Sequence, residues 1–299
     1  MKYVVTGGAG FIGSHLVDSL ISDSNTVHII DNLSSGKKAN INPAALFHNY
    51  DISKSENYDK ICQILDKADT VFHCAASARV QSSILKPIKY ENNNTIGLIT
   101  LLKASVDSKV KRFIYSASSS AYGDTKKLPS EEDDKTDPIS PYSAQKLYGE
   151  ICCKMFSKVY NIETVSLRYF NVFGERQNLG GPYATVIGIF LNQKKLQKPL
   201  TINGNGKQRR DFTYVRDVVN ANILASKSKK IGRGEVINIG SGKNISINSV
   251  AKMIDKKFEY KKSVKEPFAN LASIKKAKKL LHWEPKTTLE SWIKEYINE

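Results

Sequence analysis

No run of 18 apolar residues occurs in the 299-residue chain, so a membrane-spanning helix is excluded. Internal repeats and low-complexity tracts are missing as well. Cysteine is scarce: Cys62, Cys74, Cys152 and Cys153 show no metal-like spacing, and two of them are adjacent. They read as reduced, buried small hydrophobes, not as a disulfide framework or a zinc site, and no metal is expected. The chain begins on strand-like Lys2-Tyr3-Val4-Val5 with no charged leader, and a cytoplasmic location is expected. Acidic residues are outnumbered, 29 against 45 basic ones, giving a net charge of +16. The lysines come as dispersed doublets, such as Lys37-Lys38, Lys194-Lys195 and Lys278-Lys279, which usually mark a solvated surface. Such a field would attract anionic substrates or nucleic acid. Aromatic interleaving of the kind that stacks bases is lacking, so nucleic acid is not an expected partner.

What is present begins at Val4-Val5-Thr6, which runs into Gly7-Gly8-Ala9-Gly10-Phe11-Ile12-Gly13 before a helical pattern from Ser14. Strand, glycine turn and helix in that order form the context in which a glycine motif is credible. One glycine serves the tight turn, one lets backbone approach a pyrophosphate, and one allows helix to pack on strand. The phosphates would lie at the helix's positive end. A second strand, Val27-His28-Ile29-Ile30, ends at Asp31. An acid there binds both ribose hydroxyls of an adenosine and repels a 2′-phosphate, favouring NAD over NADP. Further strands are expected at Thr70–His73, ending in Cys74-Ala75-Ala76, and at Val110–Ser116, ending in the hydroxyls of Ser116, Ser118, Ser119 and Ser120. Strands alternating with helices predict a Rossmann-type, doubly wound parallel α/β sheet whose ligands lie beyond the strand carboxyl ends. Gly7, Ala75 and Ser118 therefore fall on one edge. A hydroxyl cluster in a loop is often turn chemistry, but its position at this edge points to function.

Tyr142 and Lys146 stand four residues apart in a segment for which Ser140 is a suitable N-cap and Pro141 a suitable first residue. On a helix they share a face. A cation beside a phenol favours the phenolate, and the pair predicts a tyrosine base with a lowered pKa. The expected division is a dinucleotide-binding domain over 1–170, with elements from about 209–230 returning to it, and a smaller α/β substrate lobe over 171–299. Within the second part, Arg209-Arg210-Asp211 is suited to phosphate recognition or, equally, to a surface ion pair with Asp211.

Taken together, TGGAGFIGSH from Thr6, DNLSSG from Asp31, YSASSSAYG from Tyr115, PYSAQK from Pro141, RYFNVFG from Arg168, RRDFTYVRD from Arg209 and HWEPKTTLESW ending at Trp292 carry a resemblance. The chain resembles the extended short-chain dehydrogenase/reductase family over nearly its whole length, and within it the UDP-glucose 4-epimerase type. The resemblance implies NAD held by Gly7, Gly10, Phe11, Ile12 and Gly13, with Asp31 and Asn32 at the ribose and Asp51 and Ile52 beside the adenine. Ala75, Ala76 and Asn94 would also adjoin the cofactor, and Lys146 would reach the nicotinamide ribose. Tyr142 would take the proton of the sugar 4-hydroxyl, oriented by Ser118 with Ser120 close by. Asn171 and Arg210 would hold a UDP-sugar, Arg210 on its diphosphate. A homodimer formed through a helix pair that includes the Tyr142/Lys146 helix is implied as well.

Related 4,6-dehydratases carry an Asp-Glu pair where this chain has Ser119-Ser120, and related UDP-glucuronate decarboxylases carry Glu at Ser120. Lacking those acids, the chain fits epimerisation better. Two positions depart from the epimerase pattern. Ser263 stands where a second-lobe arginine would grip the diphosphate, with lysines nearby in Lys261-Lys262-Ser263-Val264-Lys265. Asn270 replaces a bulky gate residue and is expected to leave room for N-acetylated sugars as well as plain hexoses. A different sugar-nucleotide epimerase, such as one acting on UDP-glucuronate, and a catalytically silent NAD-binding protein that binds RNA or a partner are the alternatives.

Overall fold

The computed structural model describes residues 1–181, 184–264 and 266–298. Its framework is a sheet of seven parallel strands. Six are β1 (Lys2–Thr6), β2 (Thr26–Ile30), β3 (Leu46–His48), β4 (Thr70–His73), β5 (Arg112–Ser118) and β6 (Glu163–Tyr169), and the seventh is Arg233–Ile239. Across the sheet the order is Arg233–Ile239, β6, β5, β4, β1, β2, β3. The winding direction thus reverses between β1 and β4, and a crevice for ligands opens beyond their carboxyl ends. β5 reaches Ser118, two residues further than the sequence pattern suggested, so that hydroxyl sits at the strand end itself.

Helices cover both faces. Against one pack α1 (Phe11–Ser22) and the helices Val215–Lys227 and Lys275–Leu281, through Leu16, Val17, Leu20, Val218, Ala221 and Leu281. Against the other pack α2 (Tyr58–Leu65), α5 (Gly97–Asp107) and α6 (Pro141–Tyr160), with Ile61, Leu98, Leu101 and Phe156 buried between them. Between α2 and α5 the chain forms α3 (Val80–Leu85), α4 (Pro87–Glu91) and a π-helical turn at Asn92–Ile96. The start of α6 follows from its sequence: Ser140 Oγ accepts from Ser143 N at 3.1 Å, and Pro141 occupies the first turn. Asn161 ends it in the left-handed conformation, φ 61°.

A second core gathers Phe173, Phe190, Leu200, Ile202, Phe212, Val250 and Trp292. Short strand pairs frame it: Leu200–Asn203 with Phe258–Lys261, Arg209–Asp211 with Asn244–Ser246, and Val172–Phe173 with Thr213–Tyr214. The expected return of residues 209–230 to the sheet needs correction. Residues 209–214 stay in the second lobe because their backbone groups pair there, and the return runs from Val215 to Ile239, where an apolar helix face and a sheet edge are available. A further return follows at 275–283, where Trp283 is fully buried and donates from Nε1 to Asp217 O at 2.9 Å.

A buried ion pair joins these layers. Arg168 on β6 donates from Nε and Nη2 to the two carboxylate oxygens of Glu150 on α6, at 2.7 and 2.6 Å. Its guanidinium also lies 4.6 Å from the centre of the Tyr122 ring, and Tyr122 donates to Asn238 Oδ1 at 2.8 Å. Removing one partner of a buried pair leaves an uncompensated charge. Glu150→Ala is therefore expected to lower the unfolding free energy by about 3–5 kcal/mol in urea titrations. A Glu150→Leu, Arg168→Met double substitution should recover most of that loss. A single-variant cost under about 1 kcal/mol would count against the pair's role.

Candidate active site

A cavity of about 990 Å³ opens at the carboxyl edge of the sheet and extends into the second lobe. Every residue singled out from the sequence as touching cofactor or substrate lines it, except Asn94 and Lys146. One end is built by β1 and β2. Gly7 turns the chain with φ +72°, and a Cβ on it would come within 2.7 Å of Ala75 N. Gly13 is equally confined, since a Cβ there would meet Gly7 O at 2.2 Å. Gly10, the N-cap residue of α1, supplies no side-chain cap, so the first N–H groups of the helix are directed at the cavity end. The Asp31 carboxylate accepts from Ala9 N and Leu33 N at 3.0 and 2.8 Å. Asp51 accepts from Asn32 Nδ2 and from Ser53 N and Oγ. Burial alone would raise its carboxyl, but the Ser53 and Asn32 bonds outweigh that and hold it below the ordinary range.

In the middle, Ser118 caps the turn at Ser119–Tyr122, its Oγ accepting from Ser120 N at 3.2 Å, and it lines the cavity together with Tyr142. Ser120 Oγ is buried in the cavity wall with no hydrogen-bond partner among the described residues, as a group that meets a ligand would be. Tyr142 N donates to Ser83 Oγ at 3.1 Å, which ties α6 to α3.

Asn94 and Lys146 do not line the cavity and make protein contacts behind it. Asn94 lies in the π-helical turn next to the lining residue Asn93; its Oδ1 accepts from Ser77 N, and its Nδ2 donates to Ser77 O and Gln145 Oε1. It braces the loop after β4 against α6. Lys146, though on α6 as foreseen, sends Nζ to Ser116 O at 2.7 Å, over the Tyr115 ring at 4.8 Å.

At the second-lobe end, Asn171 donates to Asp211 O and to Asn270 Oδ1, which also accepts from Asp211 N at 2.8 Å. Arg210 pairs with Glu266, Nη2 to Oε2 2.8 Å, and not with Asp211. Asp211 is buried and accepts instead from Ser241 N and Oγ, Gly242 N and Ala272 N. Ser263 and the neighbouring Lys261 and Lys262 are exposed and do not line the cavity, while Lys265 lies outside the described residues. Two charged lining residues were given no role from the sequence, Arg79 and Glu266. The only signal was a charge standing among small residues in Ala75-Ala76-Ser77-Ala78-Arg79.

Residues 3–240 match the profile of the NAD dependent epimerase/dehydratase family. The chain belongs to that family. It is 38% identical to a putative UDP-glucose 4-epimerase of Methanocaldococcus jannaschii, over 99% of this chain and 97% of that one. A crystal structure of UDP-glucose 4-epimerase with UDP-glucose from Thermotoga maritima superposes with a TM-score of 0.94 at 39% identity, covering 100% and 99% of the two chains. The UDP-N-acetylglucosamine 4-epimerase of Methanobrevibacter ruminantium, in complex with UDP-N-acetylmuramic acid, gives 0.93 at 37%, covering 99% and 97%. NAD is the cofactor of the family, and the glycine turn, the uncapped helix start and the Asp31 carboxylate fit a dinucleotide.

Within this epimerase/dehydratase site the electrostatics differ from the expected lowering of Tyr142. Burial pushes the Tyr142 phenol up, and Ser118 only partly opposes it. Burial pulls Lys146 down to about 8. In a low dielectric both charged forms are disfavoured, and the lysine gives up its proton before the phenol does. His73, stacked on Tyr115 beside the cavity floor, shares a 2.8 Å hydrogen bond with Thr6 Oγ1. Burial, with Lys146 adding to it, pulls His73 from 6.5 to about 3. The folded state therefore keeps it neutral where the unfolded chain takes up a proton. Its stabilising contribution is whole above about pH 6.5 and is lost as pH falls towards 3. His73→Asn should flatten the acid-side loss of stability, read in urea titrations from pH 7 to 4.5, by up to about 1.4 kcal/mol per pH unit. An unchanged slope would assign the loss to other groups.

Proposed function

We propose that this protein is an NAD-dependent sugar-nucleotide 4-epimerase acting on a UDP-hexose through a transient 4-keto sugar. The observation that carries the reading is that Ser118 and Tyr142 line the same cavity as the Gly7 turn and Asp31. When bound, NAD supplies the acceptor for hydride from C4 and the donor that returns it. The chain's own residues bind, orient and move the proton. Ser118, fixed by the Ser120 N–H, orients the 4-oxygen. Tyr142 takes the 4-hydroxyl proton as C4 becomes a ketone and gives it back when C4 is reduced on the opposite face. Asp31 would hold the adenosine ribose, and Lys146 would hydrogen-bond the nicotinamide ribose. Ser119 and Ser120 provide no carboxylate to drive loss of water. Asn270, short and held by Asp211 N, leaves the sugar end open to N-acetylated as well as plain hexoses.

Pure protein incubated without added NAD should convert UDP-glucose, UDP-N-acetylglucosamine or UDP-glucuronate to its 4-epimer, followed by anion-exchange chromatography or NMR. Tyr142→Phe should slow that conversion by about 10²–10⁴-fold. No conversion in any tube, even with NAD supplied, would overturn the reading.

The active form is a homodimer in this reading. Tyr148, Ile151, Met155 and Val159 form one stripe along α6, each at least 40% exposed, beside exposed Leu85 and Ile88 of α3 and α4. A second copy of the same stripe, related by twofold symmetry, would bury it. Ile151→Asp should raise the dimer dissociation constant at least about tenfold in sedimentation runs. A wild-type protein that is monomeric at micromolar concentration would remove this part of the proposal.

A further inference from the structure

We propose that Tyr115 is a positioning residue of this site, the face of its aromatic ring holding the Lys146 ammonium in place behind the cavity wall. The role rests on the 4-epimerase reading, in which Lys146 serves the nicotinamide ribose. Lys146 Nζ lies over the Tyr115 ring, 4.8 Å from its centre, and donates to Ser116 O at 2.7 Å. Two consecutive residues of β5 thus grip the cation, one through a π face and one through a carbonyl. The next two, Ala117 and Ser118, line the cavity. Among the described residues no carboxylate pairs with Lys146. Glu150, one turn further along α6, gives both oxygens to Arg168. The other ionisable groups facing the ammonium are His73 and Cys74 from β4 and Cys153 from α6. Burial keeps His73 neutral and raises both thiols, and it raises the Tyr115 hydroxyl as well, so none of them offers a negative charge.

The ring is itself fixed from two elements. His73, its register partner on β4, stacks on it with centres 5.8 Å apart and is tied to Thr6 Oγ1 at 2.8 Å. On α6 the room comes from Gly149, where a Cβ would collide with Tyr115 Cζ and Oη. Gly149 stands three residues after Lys146, so the helix face that carries the lysine is left bare where the ring must pass. A cation over an aromatic face is held most strongly when drawn out of water, and an aliphatic side chain of the same size would give a charge nothing. The ring therefore sets where the ammonium sits and favours its charged form, against the burial that pulls Lys146 down to about 8.

The test replaces Tyr115 in the holoenzyme by phenylalanine and by phenylalanines with increasing numbers of ring fluorines, which keep the ring's shape and drain its π face. The titration midpoint of Lys146 is read by NMR of 15N-labelled lysine side chains, assigned with Lys146→Met. Tyr115→Phe should keep the midpoint near that of wild type, and full fluorination should lower it by about one pH unit or more, in steps that follow the fluorine count. Gly149→Ala is a second perturbation: its methyl group must displace the ring, and the midpoint should fall with residue 115 unchanged. In the fluorinated series kcat/KM for the UDP-sugar that wild type converts should fall in the same order. Three results would overturn the proposal: a midpoint indifferent to fluorination, which marks a packing role; a midpoint that drops fully in Tyr115→Phe, which assigns the effect to the hydroxyl; or a moving midpoint with kcat/KM constant. If wild type converts no UDP-sugar, the epimerase reading fails by itself, while the titration still decides whether the ring holds the ammonium.

Discussion

Where β1 and β4 diverge, the backbones of Gly7 and Ala75 lie too close for any side chain to fit between them. That contact fixes the floor on which the rest of the site is arranged. It directs the start of α1 at the crevice, sets the loop after β4 beneath it, and brings the end of β5 alongside. Ser118 and Tyr142 can share a cavity with Asp31 because three successive strand ends reach one edge in register. A bulkier residue at Gly7 or Gly13 would have to displace main chain, not a flexible side chain, so the tolerance of this floor is small.

The same tightness governs the charges above it. Tyr142, Lys146 and His73 all occupy surroundings where the neutral form is favoured. The lysine answers by donating to a backbone carbonyl and facing an aromatic ring, the two partners that suit a cation held away from water. The acidity of the phenol is then governed by burial and by Ser118 more than by a neighbouring positive charge.

Much of this was legible in the chain because its signals are local. The Gly7–Gly13 turn, the acid ending β2, and the Ser140-Pro141 start of α6 each specify their structure within a few residues. What escaped was set by long-range pairing. Asp211 is next to Arg210 in sequence, yet extended backbone directs neighbouring side chains to opposite faces, so Arg210 finds Glu266 and Asp211 the backbone around Ser241. Asn94 belongs to a recognisable motif, but its amide bonds to Ser77 and Gln145 could not be read from it. Arg79 reaches a carbonyl 105 residues away, which no spacing rule anticipates.

The path of the chain beyond Tyr169 has a mechanical consequence. It passes to the second core after β6, back before Val215, out after Ile239, back before Lys275, and out again between Leu281 and Leu289. A body tethered by so many covalent strands cannot swing on a single hinge, and rigid opening of one half against the other is largely blocked. Entry and exit of a large ligand must then be managed by short stretches of the rim, with the walls around the sugar nearly stationary. In the proposed reaction, a keto intermediate that has to turn over without escaping is well served by a chamber of that kind.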